Sequence, residues 1–168
     1  MHAGKEKFMM TLEFLESVDL FKDMDDNQLE RILDCCKVAD FKRGERLFAA
    51  GQDADFLWVV INGQVELRED DSGPSSPDNA IISMLSDSMA FGWSSLVSPF
   101  RYYFSADCVS RTCNVLQVDR NCLIKLMEKD TEIGYPIMSR LLTLVGQRFD
   151  RLEEEIIKRL GRDIINQW

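Results

Sequence analysis

Apolar positions follow two rhythms along the chain, and the change of rhythm divides it. Phe8, Leu12, Leu15 and Val18 fall at helical spacing and predict a short amphipathic helix over residues 8–18. After the acidic capping pair Asp25-Asp26, Leu29, Ile32 and Leu33 share one face of a second helix. From Val38 the signal becomes short strands punctuated by glycine. Phe41 precedes the turn Lys42-Arg43-Gly44-Glu45, residues 47–50 run into Gly51-Gln52-Asp53, and residues 56–61 lead into Asn62-Gly63. Leu57, Val59, Ile61, Val65 and Leu67 share a parity, which predicts one apolar face carried across a turn or bend at Gly63. Asn-Gly suits the positive φ of a tight reversal. Ile81, Ile82, Met84 and Leu85 resume the sheet, and residues 103–109 and 114–118 read as a closing hairpin with Arg111-Thr112 near its tip. Short strands at this spacing predict a sandwich or barrel-like β-roll.

Between the strands, residues 69–79 are acidic and rich in serine, proline and glycine, a solvated loop with no capacity for a core. Beyond Asp119 the period turns helical again. Residues 120–129 would bury Leu123, Leu126 and Met127, and Asp130 caps a longer helix in which Pro136 lies early enough to bend rather than break it. Met138, Leu141, Val145, Phe149, Leu152, Ile156 and Leu160 form a continuous apolar stripe. Glu154 with Lys158, and Glu155 with Arg159, support its outer faces, and Gly161 is the expected stop.

Composition narrows the function classes. A chain of 168 residues suits one domain. Its net charge of −9 opposes non-specific nucleic-acid binding. The longest strongly apolar run, residues 56–61, is too short to span a bilayer, and residues 1–10 do not have the build of a signal peptide. Cys35, Cys36, Cys108, Cys113 and Cys122 form no recognisable disulfide frame and are too scattered for an iron–sulfur site. They read as reduced, buried small hydrophobes in a cytoplasmic protein. His2 is the only histidine, and no nucleophile motif or metal-ligand constellation supports catalysis.

Candidate chemistry concentrates in Phe91-Gly92-Trp93-Ser94-Ser95-Leu96, with Arg101-Tyr102-Tyr103 after a proline-bounded loop. A strand stopping at glycine and opening into a hydroxyl-bearing helical turn exposes unpaired N–H groups with partial positive charge, which suit an anion. Arg101 can add a two-pronged clamp on a phosphate. The alternative is a tight corner in which Trp93, Tyr102 and Tyr103 fill the space and Arg101 is paired at the surface.

Helices, a glycine-punctuated roll, a helical turn inside it and a long final helix together resemble the cyclic-nucleotide-binding domain of the catabolite activator protein superfamily. The resemblance rests on residues 41–45, 50–53 and 58–65 as its three glycine turns, Phe91-Gly92 as the start of its phosphate-binding cassette, and Asp119-Arg120 opening the next helix. It implies an α+β, mainly β fold: a double-stranded β-helix or jelly-roll β-roll over residues 38–119, with the cassette at 91–103, N-terminal helices over 1–37 and C-terminal helices over 120–168. It also implies that Arg101 meets a cyclic phosphate. The family's glutamate, which contacts the ribose hydroxyl, is replaced here by Trp93, and Tyr102 and Tyr103 stand where small residues are usual. The expected effector is therefore a cyclic nucleotide or another small anion bound in a non-standard way, with no other cofactor.

The resemblance further implies a homodimer through residues 138–160 and signalling by a hinge between roll and long helix. The chain ends seven residues after Gly161, so a helix-turn-helix reading head and direct DNA binding are not expected. A degenerate module kept for dimerisation or protein contact, and the sensor piece of a transcription regulator, are the rival readings.

Overall fold

The computed structural model describes residues 12–69 and 81–165. The readings for residues 1–11 and for most of the acidic loop lie outside the described residues. Helix α1 occupies 12–17, a 3-10 turn follows at Asp19–Phe21, and α2 spans Asp26–Leu33. The Asp25 side chain accepts the Gln28 N–H while Gln28 accepts the Asp25 N–H, a reciprocal cap that fixes where α2 begins.

Eight strands follow: β1 (Cys36–Lys42), β2 (Arg46–Phe48), β3 (Phe56–Asn62), β4 (Val65–Arg68), β5 (Ile81–Leu85), β6 (Ala90–Phe91), β7 (Ser105–Cys108) and β8 (Thr112–Asp119). They form two four-stranded antiparallel sheets ordered β1-β8-β3-β6 and β2-β7-β4-β5. The expected α+β fold with a double-stranded β-roll is borne out. The expected closing hairpin is not: β7 pairs with β2 and β4, β8 with β1 and β3, so the connection through residues 109–111 crosses between sheets. Alternating sequence fixes which residues face inward but not which strand lies alongside.

The shared parity across Gly63 is also corrected. Leu57 and Val59 face the helices, whereas Trp58 and Val60 join Val65 and Leu67 inside the roll. The pairing of β3 with β8 shifts register between Val60 and Asn62, which exchanges the two faces before the corner. Gly63 takes φ 105°, and a Cβ there would stand 2.5 Å from the Thr112 carbonyl oxygen. It serves as a corner between sheets rather than a hairpin.

Two apolar clusters result. Phe48, Trp58, Val60, Leu85, Phe91 and Tyr102 fill the roll, while Leu57, Val59, Leu116 and Val118 pack on the other face of the first sheet against helical residues. Burial on both faces explains why β3 reads as a continuous apolar run.

Helix α3 spans Arg120–Lys129, capped by the Asp119 carboxylate on the Cys122 N–H. Helix α4 spans Thr131–Ile165 and begins at Asp130, whose carboxylate accepts the Glu132 N–H and pairs with Arg31 of α2. The guanidinium hydrogen bond holds the Asp130 carboxyl below its ordinary range. Gly161 does not end the helix. A mid-helix glycine costs only about 1 kcal/mol relative to alanine, which a long helix tolerates.

The expectation of five reduced thiols is corrected at one pair. Cys35, after α2, and Cys122, in α3, form a disulfide across 87 residues of sequence. Neither spacing nor context marks partners so far apart. Cys36, Cys108 and Cys113 remain free; burial pushes the Cys36 and Cys113 thiols up to about 12, where thiolate chemistry is suppressed. Peptide mapping of unreduced protein should recover a Cys35–Cys122 cross-linked peptide. Closing so long a loop contributes up to about 4–5 kcal/mol in the chain-entropy picture, so Cys35→Ser with Cys122→Ser should lower the midpoint of chemical denaturation; an unchanged midpoint would contradict the bridge.

Candidate functional site

The stretch singled out in the sequence forms one continuous device along an edge of the roll. Phe91 ends β6, paired opposite Trp58 of β3. Gly92 then turns left-handed at φ 70°, and a Cβ there would stand 2.9 Å from Trp58 Cδ1 and 3.2 Å from Tyr102 Cε1. Glycine is needed for both the turn and the close approach. A 3-10 turn follows at Trp93–Leu96, and the Ser95 N–H donates to the Gly92 carbonyl. Ser94 and Ser95 are buried, and among the described residues the Ser95 hydroxyl has no hydrogen-bond partner. Trp93 and Leu96 turn toward the helices, packing against the cluster that contains Leu141.

The loop returns through a cis Ser98-Pro99 bond and Phe100 at φ 59°. Residues 100–102 then lace onto residues 51–54: the Ala54 N–H donates to Phe100, the Tyr102 N–H to Gln52, and the Gly51 N–H to Tyr102. This settles the position of Arg101 opposite Asp53. Its guanidinium donates to the Gly51 carbonyl at 3.1 Å and stands 3.7 Å from the Asp53 carboxylate, with 60% of the side chain exposed. A surface pair of this kind is worth little, so Arg101 can exchange it for another anion.

Tyr102 does the opposite. Its ring stacks on Phe48 at 3.7 Å inside the roll. Its hydroxyl accepts from the Trp58 indole N–H at 2.9 Å and the Phe56 N–H at 3.2 Å, and donates to the Phe56 carbonyl at 2.8 Å. Burial raises its pKa, keeping the phenol neutral. Tyr103 is exposed. The nine candidate residues are thus brought onto one edge but divide by direction: Tyr102 and Phe91 into the roll, Trp93 and Leu96 toward the helices, Arg101 and Tyr103 outward.

Several partners of the site carried no sequence signal of that role. Phe48, Phe56 and Trp58 hold Tyr102; the residues 51–54 seat Arg101, although only a glycine turn was legible there. Arg120 lies 5.2 Å from the Phe100 ring centre and donates to Ala54, tying the cassette loop to the start of α3. Chemically, the arrangement offers an exposed guanidinium and an unpartnered buried hydroxyl beside a helical turn. No group of three or more His, Cys, Asp or Glu side chains among the described residues could hold a metal ion.

Residues 38–130 match the family model described as Cyclic nucleotide-binding domain. The chain belongs to the cyclic nucleotide-binding domain family. Its similarity to cGMP-dependent protein kinase 2 from Homo sapiens is 24% identity over 70% of this chain and 14% of the kinase. With the CRP-like cAMP-activated global transcriptional regulator of Mycobacterium tuberculosis it shares 23% identity over 90% of this chain and 64% of the regulator. The chain therefore spans a small part of the kinase and just under two thirds of the regulator. Among solved structures, the sensor domain of the transcriptional regulator DNR from Pseudomonas aeruginosa aligns with TM-score 0.71 and 18% identity, covering 86% of this chain and 95% of that domain. At that identity the likeness speaks to the fold alone. The resemblance read from the glycine turns and Phe91-Gly92 is thus borne out as family membership.

Tyr102→Phe should cost about 1–3 kcal/mol, because it leaves the buried Trp58 indole N–H and the Phe56 N–H without their acceptor. Urea denaturation measures this directly; a loss below about 0.5 kcal/mol would mean the hydroxyl network is dispensable.

Proposed function

We propose that this cyclic nucleotide-binding domain is a non-catalytic sensor, in which a small anionic effector at the cassette alters how the long helix α4 sits on the roll. The observation that carries the reading is the dual attachment of the cassette. Its Arg101 side is open to solvent and weakly paired, while Trp93 and Leu96, within the same turn and loop, pack against the apolar cluster that also takes in Leu141, Leu144 and Val145 of α4. A ligand drawing on the turn's N–H groups, the Ser95 hydroxyl and Arg101 would move the segment that touches the helix. Only a difference in affinity between two arrangements can drive such a shift.

The effector is anionic but bound differently from the family's usual mode. With Trp93 replacing the carboxylate, the cassette offers no acid for a ribose hydroxyl. Tyr102, Phe48, Trp58 and Phe91 already fill the roll interior beside it. That filling also favours a second reading, a module kept for protein contact without a ligand.

Output would pass through a homodimer. Tyr135, Met138, Leu142 and Phe149 are exposed on α4, at steps of three, four and seven residues that match the seam of a coiled coil. This shifts the seam from the stripe expected in the sequence: Leu141 is 5% exposed and belongs to the domain's own core, whereas Leu142 is 73% exposed. The side chains of Leu152, Ile156 and Leu160, and the pair Glu155–Arg159, lie outside the described residues; Glu154 and Lys158 do approach to 3.6 Å.

Thermal-shift screening with cyclic mono- and dinucleotides, nucleotides and small organic acids tests the sensor reading. A ligand at about 100 times its Kd should stabilise the protein by about 2.7 kcal/mol, and Arg101→Ala should weaken it more than about tenfold. Silence from every ligand would favour the contact module; undiminished binding to Arg101→Ala would remove the clamp. Separately, sedimentation at micromolar concentration should report a dimer that Leu142→Asp with Phe149→Asp converts to monomer. A monomeric wild-type chain would refute the seam.

A further inference from the structure

A cavity of about 270 Å³ lies outside the roll, between α4, the segment around the first 3-10 turn, and the β6 edge. It meets the cassette only at Trp93, and none of Arg101, Tyr102 or the residues 51–54 lines it. One wall is apolar: Leu57 from β3, Leu141 and Leu144 from α4, and Trp93. The other carries Arg148 and Arg151, one turn apart on α4. Neither guanidinium has a hydrogen-bond or ion-pair partner among the described residues. Arg148 is half-buried, and burial, with Arg151 beside it, lowers its pKa. A partly desolvated cation beside a second cation is unfavourable unless something compensates it.

The acidic residues of the cavity do not do so. Asp87 is exposed and accepts the Gly63 N–H, and Asp19 is exposed with its backbone carbonyl engaged by Arg140. The volume sits near the lower end of small-molecule sites, roughly 300 Å³, and suits a one- or two-ring molecule. An apolar wall facing a pair of like charges selects for molecules that carry both features.

We propose that this cavity is a second ligand site, separate from the cassette, for a small amphipathic anion. Its ring or chain lies against Leu57, Leu141, Leu144 and Trp93, and its carboxylate, sulfonate or phosphate meets Arg148, with Arg151 adding charge at the mouth. An occupant would bridge α4 to the roll and hold the helix in this arrangement.

The test titrates the full chain with naphthalene-1-sulfonate and its uncharged analogue naphthalene-1-sulfonamide, following the Trp93 indole N–H signal assigned through Trp93→Phe. The sulfonate should give a saturable shift and bind at least about tenfold more tightly than the sulfonamide. Arg148→Gln should abolish that preference, Arg148→Lys should retain most of it, and Arg101→Gln should leave it unchanged. The proposal fails if naphthalene-1-sulfonate, phenyl phosphate and octanoate all leave the signal unmoved at millimolar concentration. It fails equally if Arg148→Gln keeps the preference, or if Arg101→Gln removes it, which would place the anion at the cassette.

Discussion

The architecture depends on β3 being buried on both faces. Through Trp58 it supports the interior of the roll, where the indole N–H holds Tyr102 and the ring contacts Phe41, Phe48, Phe56 and Phe91. Through Leu57 and Val59 it supports the cluster shared with the N-terminal segment, α3 and α4. One seven-residue strand therefore belongs to both cores. Removing buried side chains of this size typically costs about 2–5 kcal/mol each, so the two cores stand or fall together.

This double wall gives the cassette its leverage. It hangs from β3 through β6, with Gly92 packed so closely on Trp58 and Tyr102 that a methyl group would force a shift. On one side its loop is laced to residues 51–54 and to Arg120 at the start of α3; on the other, Trp93 and Leu96 pack against the helix-side cluster to which Ile137 and Leu141 of α4 belong. Well-packed cores have discrete arrangements rather than continuous ones, and such an attachment can pass a local displacement to a helix end. Trp93 fits this role, because its side chain makes the apolar contact with the helix-side cluster.

Much of the fold was legible because burial imposes period on sequence. The capped start of α2 at Asp25, the β3 run, and the α3–α4 junction at Asp130 all lie where local pattern places them. What was not legible depends on distant partners. The β7–β8 reading failed because strand alternation is silent about which sheet a strand joins, and the Cys35–Cys122 bridge joins residues 87 apart. At the site, the strand end at Phe91, the turn at Gly92 and the helical turn after it were legible. The three-way seat of the Tyr102 hydroxyl and the pairing of Arg101 with Gly51 and Asp53 emerge only when two loops some fifty residues apart are laced together. The split of Leu141 from Leu142 likewise depends on how α4 rolls onto the β-sheet, which period alone leaves open by one residue.

The central claim is that the cassette and α4 are mechanically joined through Trp93. Hydrogen–deuterium exchange compared between the wild-type chain and Trp93→Ala tests it most directly. Local opening reports on packing against a segment, so amides of residues 137–148 should exchange faster in the variant while β4 and β7 keep their protection. Faster exchange confined to residues 91–101, with α4 unchanged, would contradict the coupling.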